Sequence, residues 1–245
     1  TLSIQVSLDG FSFYAHDEDA GSPVEIIDYK AENTETPDKI LLELQQVFEE
    51  NEKLLIPFKN VQVTYRNELF TIVPEAYFDH NHITDYLKYN TKILDTDFIV
   101  YDELKEQNAV VVYIPFANIN NFFFDHFGSF SYHHGITIFV EKIMGRKNLS
   151  GKEIHIYLTE RNFDLLAHDG QQLLMVNTFS YQNAEDFLYH VLFCFEQLNF
   201  DPNKEKMNIS GKIPFEGDLN TFTRKYIRNL NVEPEDVTII PEHNH

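Results

Sequence analysis

Tryptophan is absent from this 245-residue chain, methionine occurs three times and cysteine once. The bulk of any core therefore falls to 22 Phe and 13 Tyr. The single cysteine, Cys194, excludes a disulfide within the chain and any zinc site built from paired cysteines. It lies between Phe193 and Phe195, which marks a buried structural thiol rather than a nucleophile. Basic residues are also scarce: 19 Lys+Arg stand against 39 Asp+Glu, a net charge of −20. Phosphate backbones and anionic lipid surfaces repel such a chain, so no nucleic acid partner is expected. The one basic cluster, Lys142, Arg146, Lys147 and Lys152, reads as a solvated linker. No apolar run approaches the ~18 residues that span a bilayer, and no secretory leader is visible. Membrane insertion is therefore not expected, and the expected location is cytoplasmic. The phosphate loop, the Gly-x-Gly-x-x-Gly fingerprint, the nucleophile elbow and the His-Glu-x-x-His zinc motif are all missing.

What is present is a repeat. Leu2-Ser3-Ile4-Gln5-Val6-Ser7 and Ile154-His155-Ile156-Tyr157-Leu158-Thr159 both alternate apolar and polar residues, the period of a half-buried strand. Each runs into a turn, Leu8-Asp9-Gly10 or Glu160-Arg161-Asn162, where Gly and Asn tolerate positive φ. Each then enters a second strand, residues 11–17 or 163–169. The two second strands share the pattern Phe-x-(Phe/Leu)-x-Ala-His-Asp and align without a gap. His16 and His168 occupy equivalent places and are expected to pair with Asp17 and Asp169. A third strand follows, at 24–29 and 173–179. A helix comes next. Thr36 and Pro37 open the first, with Ile40, Leu41, Leu44, Val47 and Phe48 on one stripe; Asn183 opens the second. A further strand closes each set, 61–65 and 207–210. The boundary is expected within the polar stretch 145–151, giving one unit over 1–148 and another over 149–245.

The first unit carries additional elements. Residues 97–101 and 110–114 predict a hairpin. Residues 118–127 predict an aromatic-rich helix, buried on several sides, stopped by Gly128. Residues 136–143 predict a strand. In the second unit a helix is expected over 219–230 and a strand near 237–240, with a loose tail over 241–245.

A duplicated three-strand meander followed by a helix and a parallel strand resembles the plan of the actin-like ATPase superfamily, an α/β architecture related to the RNase H core. More specifically, the chain resembles the DUF3822 family of Bacteroidetes proteins. The segments that carry this likeness are residues 2–13, Ile114-Pro115-Phe116 with 121–128, Leu192-Phe193-Cys194-Phe195-Glu196-Gln197-Leu198, and Ile209-Ser210-Gly211. The resemblance implies two lobes with a cleft between them. It also implies phosphate-binding hairpin turns rich in Gly, Ser and Thr, an Asp that organises Mg²⁺, and a Gly-Gly pair for adenosine. This chain departs from that pattern. Asp9, Gly10 and Ser12 give a reduced first turn, but Phe11 replaces a glycine. The second turn keeps Thr159 without glycine or Asp, and only Gly211 remains of the adenosine pair. The expectation is a non-catalytic, nucleotide-degenerate protein with a protein partner and no cofactor. The alternative is an ATPase or phosphotransferase binding ATP and Mg²⁺ through Asp9, Gly10, Ser12, Thr159 and Gly211. RNase H-type cleavage needs several convergent carboxylates, and Asp9 alone is suitably placed. The remaining histidines, His80 and His82 after Asp79, and His126, His133 and His134, read as exposed turn residues, with a metal on His80 and His82, supplemented by Asp125, His126, His133 and His134, as the alternative.

Overall fold

The computed structural model describes residues 1–15, 24–31, 36–88, 91, 93–94 and 97–233. The expected pairing of His16 with Asp17, the strand near 237–240 and the tail 241–245 lie outside the described residues. The chain divides into two compact units, Thr1–Ile138 and Phe139–His245.

In the first unit β1 (Leu2–Ser7) and β2 (Gly10–Ala15) form an antiparallel hairpin, β3 (Val24–Lys30) extends it, and helix α1 (Pro37–Glu50) leads to β4 (Val61–Arg66), which pairs parallel with β1. Then come β5 (Phe70–Pro74), a short helix α2 (Ile83–Leu87), β6 (Val100–Leu104), β7 (Ala109–Tyr113), helix α3 (Ala117–Phe127), β8 (Ser131–His134) and helix α4 (Gly135–Met144). The main sheet has the order β3-β2-β1-β4-β8, and an inserted sheet has the order β5-β7-β6.

The second unit contains β9 (Lys152–Leu158), β10 (Asn162–Asp169), β11 (Gln172–Ser180), helix α5 (Ala184–Gln197), β12 (Lys206–Gly211), helix α6 (Gly217–Tyr226) and β13 (Asn229–Val232). Its sheet order, β11-β10-β9-β12-β13, repeats the first. The registers repeat as well: Leu2 faces Ala15 and Val61, while Ile154 faces Ala167 and Met207. The duplication read in the sequence is therefore a duplication of strand pairing.

Packing follows the alternation. Leu2, Ile4 and Val6 turn one face of β1 towards Ile40, Leu44 and Phe48 of α1 and Ile119 and Phe123 of α3, all buried in one core. Phe48 meets Phe13 and Phe122 edge-on. In the second unit Ile154, Ile156 and Leu158 meet Phe187, Val191 and Phe195 of α5. Asn183 caps α5 by accepting the Asp186 N–H at 2.9 Å. Thr36 stands at the corresponding position of α1 without a side-chain capping bond; Pro37 has no N–H at the first helical position to be satisfied.

Two expectations fail for identifiable reasons. Residues 136–143 are helical, not extended. Ile136, Thr137, Ile138, Phe139, Val140, Ile143 and Met144 are all buried and only Glu141 and Lys142 are exposed, so the polar face is too narrow to reveal a helical period, and an apolar run of this length does not separate helix from strand. The last helix stops at Tyr226 rather than running to residue 230. Ile227 is buried and the Arg228 N–H donates to the Pro202 carbonyl at 3.0 Å, which turns the chain into β13 alongside β12.

Helix α3 tests the packing account. Phe123 is fully buried whereas Phe124 is 61% exposed. Phe123→Ala is expected to cost about 3–5 kcal/mol of unfolding free energy and Phe124→Ala no more than ~0.5 kcal/mol, both from urea denaturation midpoints.

Candidate functional site

The two hairpin turns are each closed by a hydroxyl that donates to the carbonyl three residues on, and differ in the N–H that this hydroxyl accepts. Ser7 Oγ donates to the Gly10 carbonyl and accepts the Asp9 N–H, both at 3.2 Å. Thr159 Oγ1 donates to the Asn162 carbonyl at 2.8 Å and accepts the Asn162 N–H at 3.3 Å. The Thr159 N–H also donates to the Asn162 carbonyl at 2.9 Å. Behind each turn the outer strand ends on an equivalent bond: Ala31 N–H to the Asp9 carbonyl at 3.0 Å, and Tyr181 N–H to the Arg161 carbonyl at 2.9 Å. Tyr181 adds its hydroxyl to the Thr159 carbonyl at 2.7 Å.

Asp9 and Gly10 thus lie in the first turn, while Ser12 is buried two residues into β2. Thr159 and Gly211 end at adjacent strands of the second unit, since Gly211 is paired with Leu158. The two glycines serve backbone packing. Gly10 has φ +137° and a Cβ there would collide with the Tyr29 carbonyl; Gly211 has φ +157° and a Cβ would collide with Leu158. Neither conformation suits a side chain.

A separate site, not anticipated from sequence, lies in the first unit. A cleft of about 570 Å³ is walled by Val100, Tyr101 and Asp102 of β6 and by Tyr132 and His133 of β8. Among the described residues both strands are sheet edges. Asp102 is buried and accepts from four donors. They are the His134 N–H at 2.8 Å, Thr137 Oγ1 at 2.7 Å, Tyr113 Oη at 3.3 Å and His133 Nδ1 at 3.2 Å. The carboxylate also sits at the start of α4, where the helix dipole favours negative charge. His134 completes the corner. Its Nδ1 accepts the Ile136 N–H at 3.1 Å, which leaves Nε2 to donate to the Asn67 carbonyl at 3.2 Å. Burial pushes its pKa down to about 3, so the ring is neutral. The signal for this site was a carboxylate at an inward position of β6, beside buried Leu104.

Of the histidines read as exposed turn residues only His80 and His82 lie in a turn; His126 is on α3, and His133 and His134 are on β8, with His134 buried. Asp79 accepts from the Asn81 N–H at 2.9 Å and meets His82 Nδ1 at 2.7 Å, forming a capped, exposed 3-10 turn rather than a strand face. His80 joins the cleft wall, 5.5 Å from the Tyr101 ring. His126 Nδ1 bonds the Phe122 carbonyl at 2.9 Å. His168 does not pair with Asp169; its Nε2 lies 3.2 Å from His155 Nε2 in the neighbouring strand. Within the basic cluster, Lys142 belongs to α4 and Lys152 to β9, and Arg146 pairs with Glu233 at 3.3 Å. Cys194 is buried, and burial pushes its thiol up to about 11, which leaves it unreactive. Among the described residues no helix is long and apolar enough to cross a membrane.

This geometry belongs to a known class. The chain has the duplicated actin-like ATPase fold. A Bacteroides thetaiotaomicron protein of that fold and of unknown function superposes with a TM-score of 0.86 at 21% identity, over 95% of this chain and 90% of that one. A chain of the PilM–PilN type IV pilus biogenesis complex superposes with a TM-score of 0.60 at 9% identity, over 95% and 87%. The protein belongs to the DUF3822 family, a family of unknown function whose profile matches residues 1–230. No curated protein sequence matches it.

Two outcomes check the site. Asp102→Ala strands the Thr137 hydroxyl and the His134 N–H in a buried setting, an expected loss of at least ~2 kcal/mol, with Asp102→Asn losing less by the same urea titration. The second concerns pH. Burial holds His134 and His155 at about 3, below the ordinary 6.5. Between these values the unfolded chain binds protons that the folded chain refuses. Stability is therefore complete above pH 6.5 and falls as pH drops towards 3, by up to about 1.4 kcal/mol per pH unit for each residue. His134→Asn should flatten that slope in thermal melts between pH 7 and 5.

Proposed function

We propose that this protein is a nucleotide-degenerate member of the actin-like fold that works by binding another protein. The carrying observation is the closure of both hairpin turns by their own hydroxyls and amides. A phosphate approaching either turn would compete with bonds already made, and Gly10 and Gly211 are occupied by strand packing. In this reading Asp9, Ser12 and Thr159 have no nucleotide contact, no cofactor is held, and the setting is cytoplasmic.

The partner's place is the cleft between β6 and β8. Exposed sheet edges are templates for an added strand. Tyr101 and Tyr132 offer apolar surface with polar tips, the composition typical of contact sites. An extended segment of a partner protein fits both features. The PilM–PilN complex offers an analogy at the level of fold, in which a chain of this plan takes part in a protein assembly.

Thermal melts with and without ATP and Mg²⁺ test the nucleotide half of this reading. No shift is expected for the wild type. A clear rise abolished by Asp9→Ala would establish the ATPase alternative instead. For the partner half, the chain is tagged and purified from its host. The protein that co-purifies is expected to be lost with Tyr101→Arg and retained with Asp9→Ala; the opposite pattern moves the contact out of the cleft.

A further inference from the structure

The face of the second sheet opposite α5 carries polar groups that the proposed function does not use. β9 places Glu153 and His155 on that face, and β10 places His168 there, beside an irregularity in its pairing with β11 after Ala167. His155 and His168 are buried, their rings lie within 20° of parallel, and their Nε2 atoms are 3.2 Å apart. Glu153 Oε2 is 3.6 Å from His155 Nε2, and one ligand atom from each residue lies within 4.8 Å of the others.

These separations match a coordination shell. Two imidazole nitrogens on one tetrahedral zinc, each about 2.0–2.1 Å from the ion, stand roughly 3.3 Å apart. The Glu153–His155 separation of 3.6 Å is too long for a hydrogen bond. Hydrogen bonding alone also serves the pair poorly. A neutral imidazole has one N–H and one lone pair, so a bond between the two Nε2 atoms leaves each Nδ1 to be satisfied elsewhere. Among the described residues His168 Nδ1 is buried and meets no partner at good hydrogen-bond geometry, the Gly170 backbone giving it at most a weak contact. Burial lowers the pKa of both rings, which keeps their lone pairs available at neutral pH. Asn208 Nδ2 donates to Glu153 Oε2 at 2.9 Å, an outer contact of the kind that orients a ligating carboxylate. Lys206 Nζ stands 3.6 Å from the same oxygen with its side chain half exposed, so it can move into solvent when a cation arrives.

We propose that Glu153, His155 and His168 bind one divalent transition metal ion of the zinc class, with a fourth position open to water. Two imidazoles and a carboxylate are a ligand set that zinc accepts.

The full chain, stripped with chelator and then dialysed against Zn²⁺ or Co²⁺, supplies the test. Metal per chain is measured by elemental analysis, and Co²⁺ geometry by visible absorption. One equivalent is expected for the wild type and for the His80→Gln/His82→Gln control, with a tetrahedral Co²⁺ spectrum. Glu153→Gln should weaken binding at least ~10-fold, and His168→Gln should abolish it. Should His168→Gln fail to fold, the near-isosteric Glu153→Gln decides, because Glu153 is partly exposed. A folded wild-type chain that takes up no metal overturns the proposal, as does binding that Glu153→Gln leaves unchanged.

Discussion

Each sheet is organised by a central strand that must pair on both edges at once. β1 runs antiparallel to β2 and parallel to β4, and β9 does the same with β10 and β12. A strand so placed spends its main-chain donors and acceptors on two neighbours and is buried on its faces as well. The hairpin turn must therefore close tightly, and the returning parallel strand must approach without side-chain interference. Ser7 and Thr159 meet the first demand with the same hydroxyl bond three residues on. Gly211 meets the second at the end of β12, and Gly10 meets its counterpart against β3. The helices then have a fixed apolar surface to cover.

This constraint separates fold from ligand chemistry. Turn closure requires one hydroxyl and one residue tolerant of the local backbone; it does not require glycine-rich sequence or an acidic residue for a metal. The two turns differ in every residue and still share the hydroxyl-to-carbonyl bond and the bond to the outer strand. The architecture can thus be kept by turn closure alone, and by itself it says nothing of activity.

The repeat was legible because alternation and a gapless spacing are local properties of the chain. The elements that escaped detection were those whose character is set from outside. α4 exposes only Glu141 and Lys142, too narrow a polar face to reveal the helical period. β13 arises where Arg228 is drawn to the Pro202 carbonyl. β5 and α2 lie in an insertion with short elements and weak periodicity. The site residues show the same division. Asp9, Gly10, Ser12, Thr159 and Gly211 were found by position within the repeat. Asp102 was not, since its donors His134 and Thr137 lie more than thirty residues away in sequence. The His155–His168 contact is hidden in the linear chain too, because only the hairpin register brings the two rings together.

The helix-covered faces of the two sheets have diverged little in character; Leu2, Ile4 and Val6 correspond to Ile154, Ile156 and Leu158, all apolar. The opposite faces have diverged in kind. Ser3, Ser12 and Tyr14 of the first unit correspond by register to His155, Asp164 and Leu166 of the second. Where the first unit relies on an inserted sheet that sends Asp102 to the start of α4, the second gathers two imidazoles and a carboxylate on its own strands. A duplicated unit can exchange polar groups on that face without disturbing the apolar core that holds the sheet to its helices. The features that set the two halves of this protein apart are therefore found on those faces and in the insertion, away from the hairpin turns.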